Sequence, residues 1–301
     1  MRSIEILHQT TEVNDDPRDW RWMSLDTMSL VRVSGEDAQS FLQAQFSNDI
    51  DSLVSGETQL NAYCNPKGRV LALPRVLKTH DALFMLVDSA IAPEFIQRLK
   101  MFVMRAKVEF EVDGQPTAVG IWGDTQIGDT LLPVSKSDTG DLRKIALCTE
   151  NMLRSLPAAR EADVKLWRLM DIVFGIPQIY PATREAFIPQ NINLDLVDGV
   201  SFRKGCYPGQ EIVARVKYRG RSKQRLIAGT LNVDKSPLAG EEIHVSGGEP
   251  RKAGTVVDAV EISSGFSCIS AVVTYPIESE LALGTADGPV ITTLDLPYEI
   301  V

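Results

Sequence analysis

The sequence predicts an α+β region followed by a small all-β unit, a barrel or a sandwich. Three observations carry this expectation. Helical and strand periods alternate in a β-α-β-β order from residue 30 onward. An irregular block, 178–200, interrupts them with Pro181, Pro189 and Asn/Asp-rich turns. Beyond Arg225 only short strand patterns between Gly/Ser turns remain, and no helical period recurs.

In chain order, residues 1–24 read as an acidic arm that packs late and carries Trp20 and Trp22. A strand over 30–33 ends at Gly35. A helix then starts near Glu36, with Ala38, Phe41, Leu42 and Phe46 on one face and Ser34 as its expected cap. Next come a strand near 59–64, a turn at Asn65-Pro66-Lys67-Gly68, a long strand over 69–78 and another over 83–87. A helix over 89–104, with Pro93 in its first turn, leads to a strand over 107–112. Strands over 117–122 and 143–148 precede a helix over about 163–174 that stops at Gly175-Ile176-Pro177. Past the basic stretch described below, strands are expected at 226–233, 242–245, 253–260, 266–273 and 290–294. At 301 residues the length suits about two domains. The boundary is placed between 222 and 223, giving domains 1–222 and 223–301; whether the first divides again into two halves stays open.

Composition narrows the function. With 44% hydrophobic and 24% charged residues the chain resembles an ordinary soluble globular protein. No run approaches the roughly 18 apolar residues of a membrane span, and the polar start holds no apolar signal region, so a cytoplasmic location without membrane contact is expected. Cys64, Cys148, Cys206 and Cys268 form no Cys-x-x-Cys pair, and His8, His80 and His244 are scattered. Neither a disulfide framework nor a local metal-ligand set can be written, so no intrinsic metal is expected. Dinucleotide fingerprints, phosphate loops and nucleophile elbows are also missing from the sequence.

The most unusual stretch is 202–225. It holds eight Lys or Arg against one acid, Glu211; at +7 in a chain of net charge -9, it leaves -16 for everything else. Cys206 lies inside this island, framed by Gly205 and Gly209. A free cysteine is commonly a small buried hydrophobe. Alternatively, Arg203, Lys204 and Arg215 stabilise the reactive thiolate, which at an unperturbed pKa near 8.5 makes up only about 3% at neutral pH. Pro208-Gly209 fits the centre of a type II turn, with Gln210 and Glu211 starting a helix that Gly220 ends. Lys217, Arg219, Arg221, Lys223 and Arg225 alternate, which in an extended chain would put five cations on one face, either a solvated face or an RNA-binding one. Trp167, with Val164 and Met170 three residues to either side, is a core ring or a surface for stacking a planar ligand. Lys67 and Arg69 could likewise hold an anion at the Asn65–Gly68 turn or be simply exposed.

Lys204-Gly205-Cys206-Tyr207-x-Gly209-Gln210-Glu211, followed by Arg215, resembles the signature of the YgfZ family of folate-binding, iron-sulfur-associated proteins, relatives of the glycine-cleavage aminomethyltransferase. Accessory segments extend the likeness over nearly the whole chain: Phe41-Leu42-Gln43 and Asn48-Asp49, Cys64-Asn-Pro-Lys67-Gly68-Arg69, and Phe187-Ile188-Pro189-Gln190 before Val200-Ser201-Phe202. The resemblance implies an aminomethyltransferase-like folate-binding domain of ferredoxin-like halves, followed by a C-terminal antiparallel β-barrel. It implies tetrahydrofolate or a one-carbon derivative as cofactor, and a part in making or repairing iron-sulfur proteins, including radical enzymes that thiolate transfer RNA. The functional cysteine falls on Cys206, with Lys204, Tyr207, Gly209, Gln210, Glu211 and Arg215 as its shell. Trp167 and Met28 fall at the pterin pocket, and Lys67 and Arg69 are expected near the folate's acidic tail. The chain departs from the transferases after Gly68. There it reads Arg69-Val70-Leu71-Ala72, where they carry a pair of aspartates. A tetrahydrofolate-dependent one-carbon transferase is therefore the rival enzyme reading, and a direct RNA-binding module the rival binding reading.

Overall fold

A computed structural model describes residues 3–11, 16, 18–112, 114–125, 131–134 and 140–300. Among the described residues, two larger antiparallel sheets and a two-stranded one, with helices, make up the front of the chain, and a closed antiparallel barrel follows. In the first sheet, strands lie in the order Glu57–Leu60, Arg75–Lys78, Leu83–Asp88, Met28–Ser34 and Glu109–Val112. Helices Ala38–Gln45 and Ala92–Val103 bury Phe41, Leu42, Phe95 and Leu99 against it. The second sheet orders Arg21–Ser24, Thr117–Trp122, Arg143–Cys148 and Leu131–Pro133, with helix Val164–Val173 contributing Trp167, Met170 and Val173 to the core beside it.

Several expectations need correction. Within the 1–24 arm, the described residues hold helix Ser3–Thr10 and the edge strand Arg21–Ser24; 1, 2, 12–15 and 17 lie outside the described residues. Ser3 donates its hydroxyl to the Val173 carbonyl at 2.6 Å, and Leu7 is fully buried, so this end is part of the second core. Ser34 stays in its strand and caps nothing. Asp37 takes the N-cap position of the helix without a capping bond, its carboxylate accepting the Lys107 N–H at 2.8 Å. The long strand over 69–78 breaks at Leu73-Pro74, because proline has no N–H to offer a ladder. Val70–Ala72 pairs with Tyr63–Cys64, while Arg75–Lys78 joins the first sheet.

The barrel closes six strands in the order Gln224–Asn232, Phe266–Thr274, Lys252–Ser263, Glu242–Val245, Leu281–Leu283 and Val290–Leu294. Strand Gln224–Asn232 is buried on both faces: Ile227 and Leu231 belong to the barrel's own core, whereas Leu226 and Ala228 join the cores of the front sheets. At the junction, the fully buried Leu226 side chain contributes about 1.5–3 kcal/mol and the single methyl of Ala228 about 0.8 kcal/mol. No helix among the described residues is long and apolar enough to cross a membrane.

Candidate functional site

Between the front sheets and the barrel the chain passes through the basic stretch, where residues 204–209 form a tightly held loop. The Gln210 N–H donates to the Tyr207 carbonyl at 3.2 Å, closing the expected turn around Pro208 and Gly209. Gly209, at φ +82, caps helix Gln210–Arg219 in the left-handed region. A Cβ there would lie 2.6 Å from the Asn65 carbonyl oxygen and 2.7 Å from the Gly68 Cα. Gly68, itself at φ +70, presses on the side chain of Ile212. The two turns thus sit back to back, and only glycine permits the approach. The Asn65 side chain holds its own turn by accepting the Lys67 and Arg69 N–H groups at 2.9 and 3.0 Å. Gly205 differs: its φ is not in the positive region and a Cβ would meet nothing within 4 Å, so the expected pair of special glycines reduces to Gly209.

Lys204 anchors the other end. Its ammonium donates to the carbonyls of Gln43, Phe46 and Asn48 at 2.5, 2.7 and 2.8 Å, capping the C-terminus of helix Ala38–Gln45, where carbonyls lack helical partners. Burial pushes it down to about 8, which leaves it a cation at neutral pH. The buried Tyr207 ring lies under that ammonium, 5.5 Å from its centroid, and burial pushes its phenol up. Gln210 reaches back toward the Lys204 and Gly205 carbonyls at 3.5 and 3.4 Å. Glu211 and Arg215 stand exposed on the helix. Cys206 is exposed at the tip, whereas Cys64, Cys148 and Cys268 are buried. Burial pushes Cys64 and Cys268 up to about 12. The alternating cations share no face. Lys217 and Arg219 lie on the helix, Arg221 and Lys223 follow it, and Arg225 is buried against Asp195 at 2.8 Å.

A cavity of about 170 Å³ lies elsewhere, lined by Thr27, Met28, Asp88, Trp167, Arg168, Asp171, Gln178 and Tyr180. Met28 and Trp167 both line it, whereas Lys67 and Arg69 line no part of it and remain on the turn clamped to the Cys206 loop. Trp167 is pressed on the strand at Gly120, and the Arg143 guanidinium lies 4.9 Å from its centroid. Arg143 is fully buried and binds Asp141 at 2.8 Å and Asp171 at 2.6 Å. The second Asp171 oxygen accepts the Gln178 amide at 2.9 Å. Burial raises Asp171, with Arg143 opposing the shift. Arg168 pairs with Asp258, which also accepts the Tyr180 hydroxyl at 2.7 Å. Asp258 comes from the barrel, at a register shift in strand Lys252–Ser263.

No family model matches the chain. An uncharacterized protein of Haemophilus influenzae is 33% identical over 93% of this chain and 99% of its own length. The tRNA-modifying protein YgfZ of Yersinia pseudotuberculosis is 30% identical, covering 92% of each chain. The chain belongs to the YgfZ family.

A glycine cleavage system aminomethyltransferase T from Bartonella henselae superposes with a TM-score of 0.65 at 13% identity, over 97% of this chain and 88% of its own. This YgfZ-family chain therefore has the aminomethyltransferase fold. Its Val70–Ala72 strand is buried and carries no carboxylate after the Gly68 turn. The sequence singles out the loop and the cavity residues Met28 and Trp167, but not Asp88, Arg168, Asp171, Gln178 and Tyr180 on the same wall, nor Asp258 behind Arg168. For two of them a signal existed: Asp171 and Asp258 are single acids inside apolar runs, Leu169-Met170-Asp171-Ile172-Val173 and Val256-Val257-Asp258-Ala259-Val260. An acid so placed must find a partner.

Proposed function

We propose that this chain is a folate-binding accessory factor that helps to make or repair iron-sulfur proteins and so supports the thiolation of transfer RNA, with Cys206 as its working thiol. One observation carries the reading: of four cysteines, Cys206 alone is exposed, on a loop held by a buried ammonium at one end and a glycine-to-glycine contact at the other. A thiol so presented can reach a partner, and its thiolate is the form that reacts. The curated relatives named tRNA-modifying proteins, similar nearly end to end, support the transfer-RNA side.

The cavity residues fit a reduced pterin. Its volume of about 170 Å³ is below the roughly 300 Å³ at which sites for drug-sized ligands begin, so it accommodates the bicyclic ring while the acidic tail leaves toward solvent. Met28 and Trp167 offer apolar contact, and the Asp88 carboxylate is an acceptor for pterin N–H donors. When bound, the folate supplies one-carbon chemistry; the chain's own groups hold and orient it.

Replacing Cys206 by Ser is expected to leave tetrahydrofolate affinity unchanged and to reduce methylthiolation of transfer RNA in dependent cells about tenfold or more. Undiminished methylthiolation would remove Cys206 from the mechanism. Burial raises the Asp88 carboxyl above its ordinary value. Its acceptor form is therefore lost, as the pH falls, sooner than that of an exposed aspartate. Folate affinity measured by calorimetry between about pH 7 and 4 should decline on acidification, and Asp88→Asn should flatten the decline. A wild-type profile already flat would exclude Asp88 from the pterin contact.

A further inference from the structure

The loop that presents Cys206 leads directly into a surface that neither the thiol nor the cavity uses. Arg203, Arg215, Lys217, Arg219, Arg221 and Lys223 are all exposed on or beside helix Gln210–Arg219. None forms a salt bridge among the described residues. Lys67, on the turn clamped against Gly209, adds another exposed cation. Against them stands one exposed acid of the stretch, Glu211, in a chain whose remainder is strongly acidic. Unpaired like charges gathered on an otherwise acidic protein cost stability through self-repulsion and attract a polyanion.

A second, independent feature separates the kinds of polyanion. Tyr218 is 68% exposed, an unusual state for a large aromatic side chain. Its ring meets Phe202 edge-on at 6.3 Å, and the Lys217 ammonium lies 5.2 Å from the Phe202 centroid. Helical spacing puts Arg215, Tyr218 and Arg219 on one face, with Glu211 a turn further toward the loop. Tyr218 stands roughly 12 Å along the axis from the helix start next to the Cys206 loop. An exposed ring among unpaired cations is how a protein holds an unstacked base while neutralising the phosphates on either side; a duplex, whose bases are already stacked, gains nothing from the ring.

We propose that this surface binds single-stranded RNA, with a base stacked on Tyr218 and the backbone tracked by Arg215, Arg219 and their neighbours. The inference deepens the transfer-RNA reading, on which it rests for its biological target, by making this chain itself contact the unpaired part of the RNA. The test is fluorescence anisotropy of the full-length protein with a labelled single-stranded oligoribonucleotide, with the same strand annealed to its complement, and with polyglutamate of matched charge as competitor. The single strand is expected to bind more tightly than the duplex, with log affinity falling against log salt at a slope of about −3 if about four phosphates are neutralised. Tyr218→Ala should weaken single-strand binding about tenfold and leave duplex binding unchanged, and Tyr218→Trp should restore it. Arg215→Gln and Arg219→Gln should each reduce the salt slope by roughly one. No binding at low salt, or equal single-strand and duplex affinities unmoved by Tyr218→Ala, would overturn the proposal. Tighter binding of polyglutamate than of the single strand at matched charge would also overturn it and assign the surface to an acidic protein. Cys206→Ser is expected to keep full RNA affinity, and Tyr218→Ala full tetrahydrofolate affinity. Loss of the RNA result thus leaves the folate and thiol result standing, and the reverse.

Discussion

Arg143→Met should lower the free energy of unfolding by about 3–5 kcal/mol, the cost of stranding buried charge. Arg143 is wholly inside the protein, where it binds the carboxylates of Asp141 and Asp171 and lies over the rings of Trp167 and Phe174. Methionine keeps much of the apolar stem but leaves both acids without this guanidinium. Asp171, already raised by burial, would then rise further. A carboxyl group whose folded-state pKa lies above its unfolded value gives stability that is present at low pH and lost as pH rises through the folded value. The deficit of the variant should accordingly be smaller at mildly acidic pH than at neutral pH. Urea titrations at both pH values measure it; a loss below about 1 kcal/mol, typical of an exposed pair, would show that Arg143 is dispensable to the second core. Because Asp171 also positions Gln178 on the cavity wall, the proposed binding of tetrahydrofolate should weaken together with stability.

The second large effect belongs to the loop. Gly209→Ala forces a side chain into the left-handed region and sets a Cβ 2.6 Å from the Asn65 oxygen. A strained backbone of this kind costs about 1–3 kcal/mol, and the alternative is for the two turns to separate. Amide exchange at Gly68, whose N–H donates to the Asn65 carbonyl at 2.9 Å, and alkylation of Cys206 should both accelerate. Gly205→Ala is the control: with open space around it, it should stay within about 0.5 kcal/mol of the parent. Equal behaviour of the two variants would mean that the back-to-back turns do not hold the loop.

The barrel is legible in the sequence because its strands are bounded by Gly/Ser turns and carry apolar residues on at least one face. Only Leu281–Leu283 escapes, being too short for any alternation to register. Helix Val164–Val173 is legible from its period and its Gly-Ile-Pro stop. The limits of the strands are less so: Pro74 lies inside an apolar run whose pattern continues across it, although its missing N–H divides the run between two sheets. At the site, charge isolation singles out Cys206 from three chemically identical residues; it is exposed and the other three are buried. The role of Lys204 could not be read locally. Its neighbours in sequence suggest a cation for the thiol, whereas its ammonium is spent on carbonyls more than 150 residues away. The cavity wall is hidden for the same reason: Asp88, Arg168 and Tyr180 are joined only by packing, with Asp258 of the barrel holding Arg168 and Tyr180 from behind.

That long reach also sets a condition on when the protein becomes competent. The acceptors at Gln43, Phe46 and Asn48 are among the first regular elements to leave a ribosome, and their donor is made only after both front sheets have been synthesised. Closing a chain segment of this length costs about 4–5 kcal/mol of entropy beyond a constant, so the capping contact forms only once neighbouring packing has already brought the ends together. The loop geometry is therefore acquired late in folding. A nascent or partly unfolded chain carries the same cysteine but not its clamped presentation, and this ties the display of the thiol to completion of the fold.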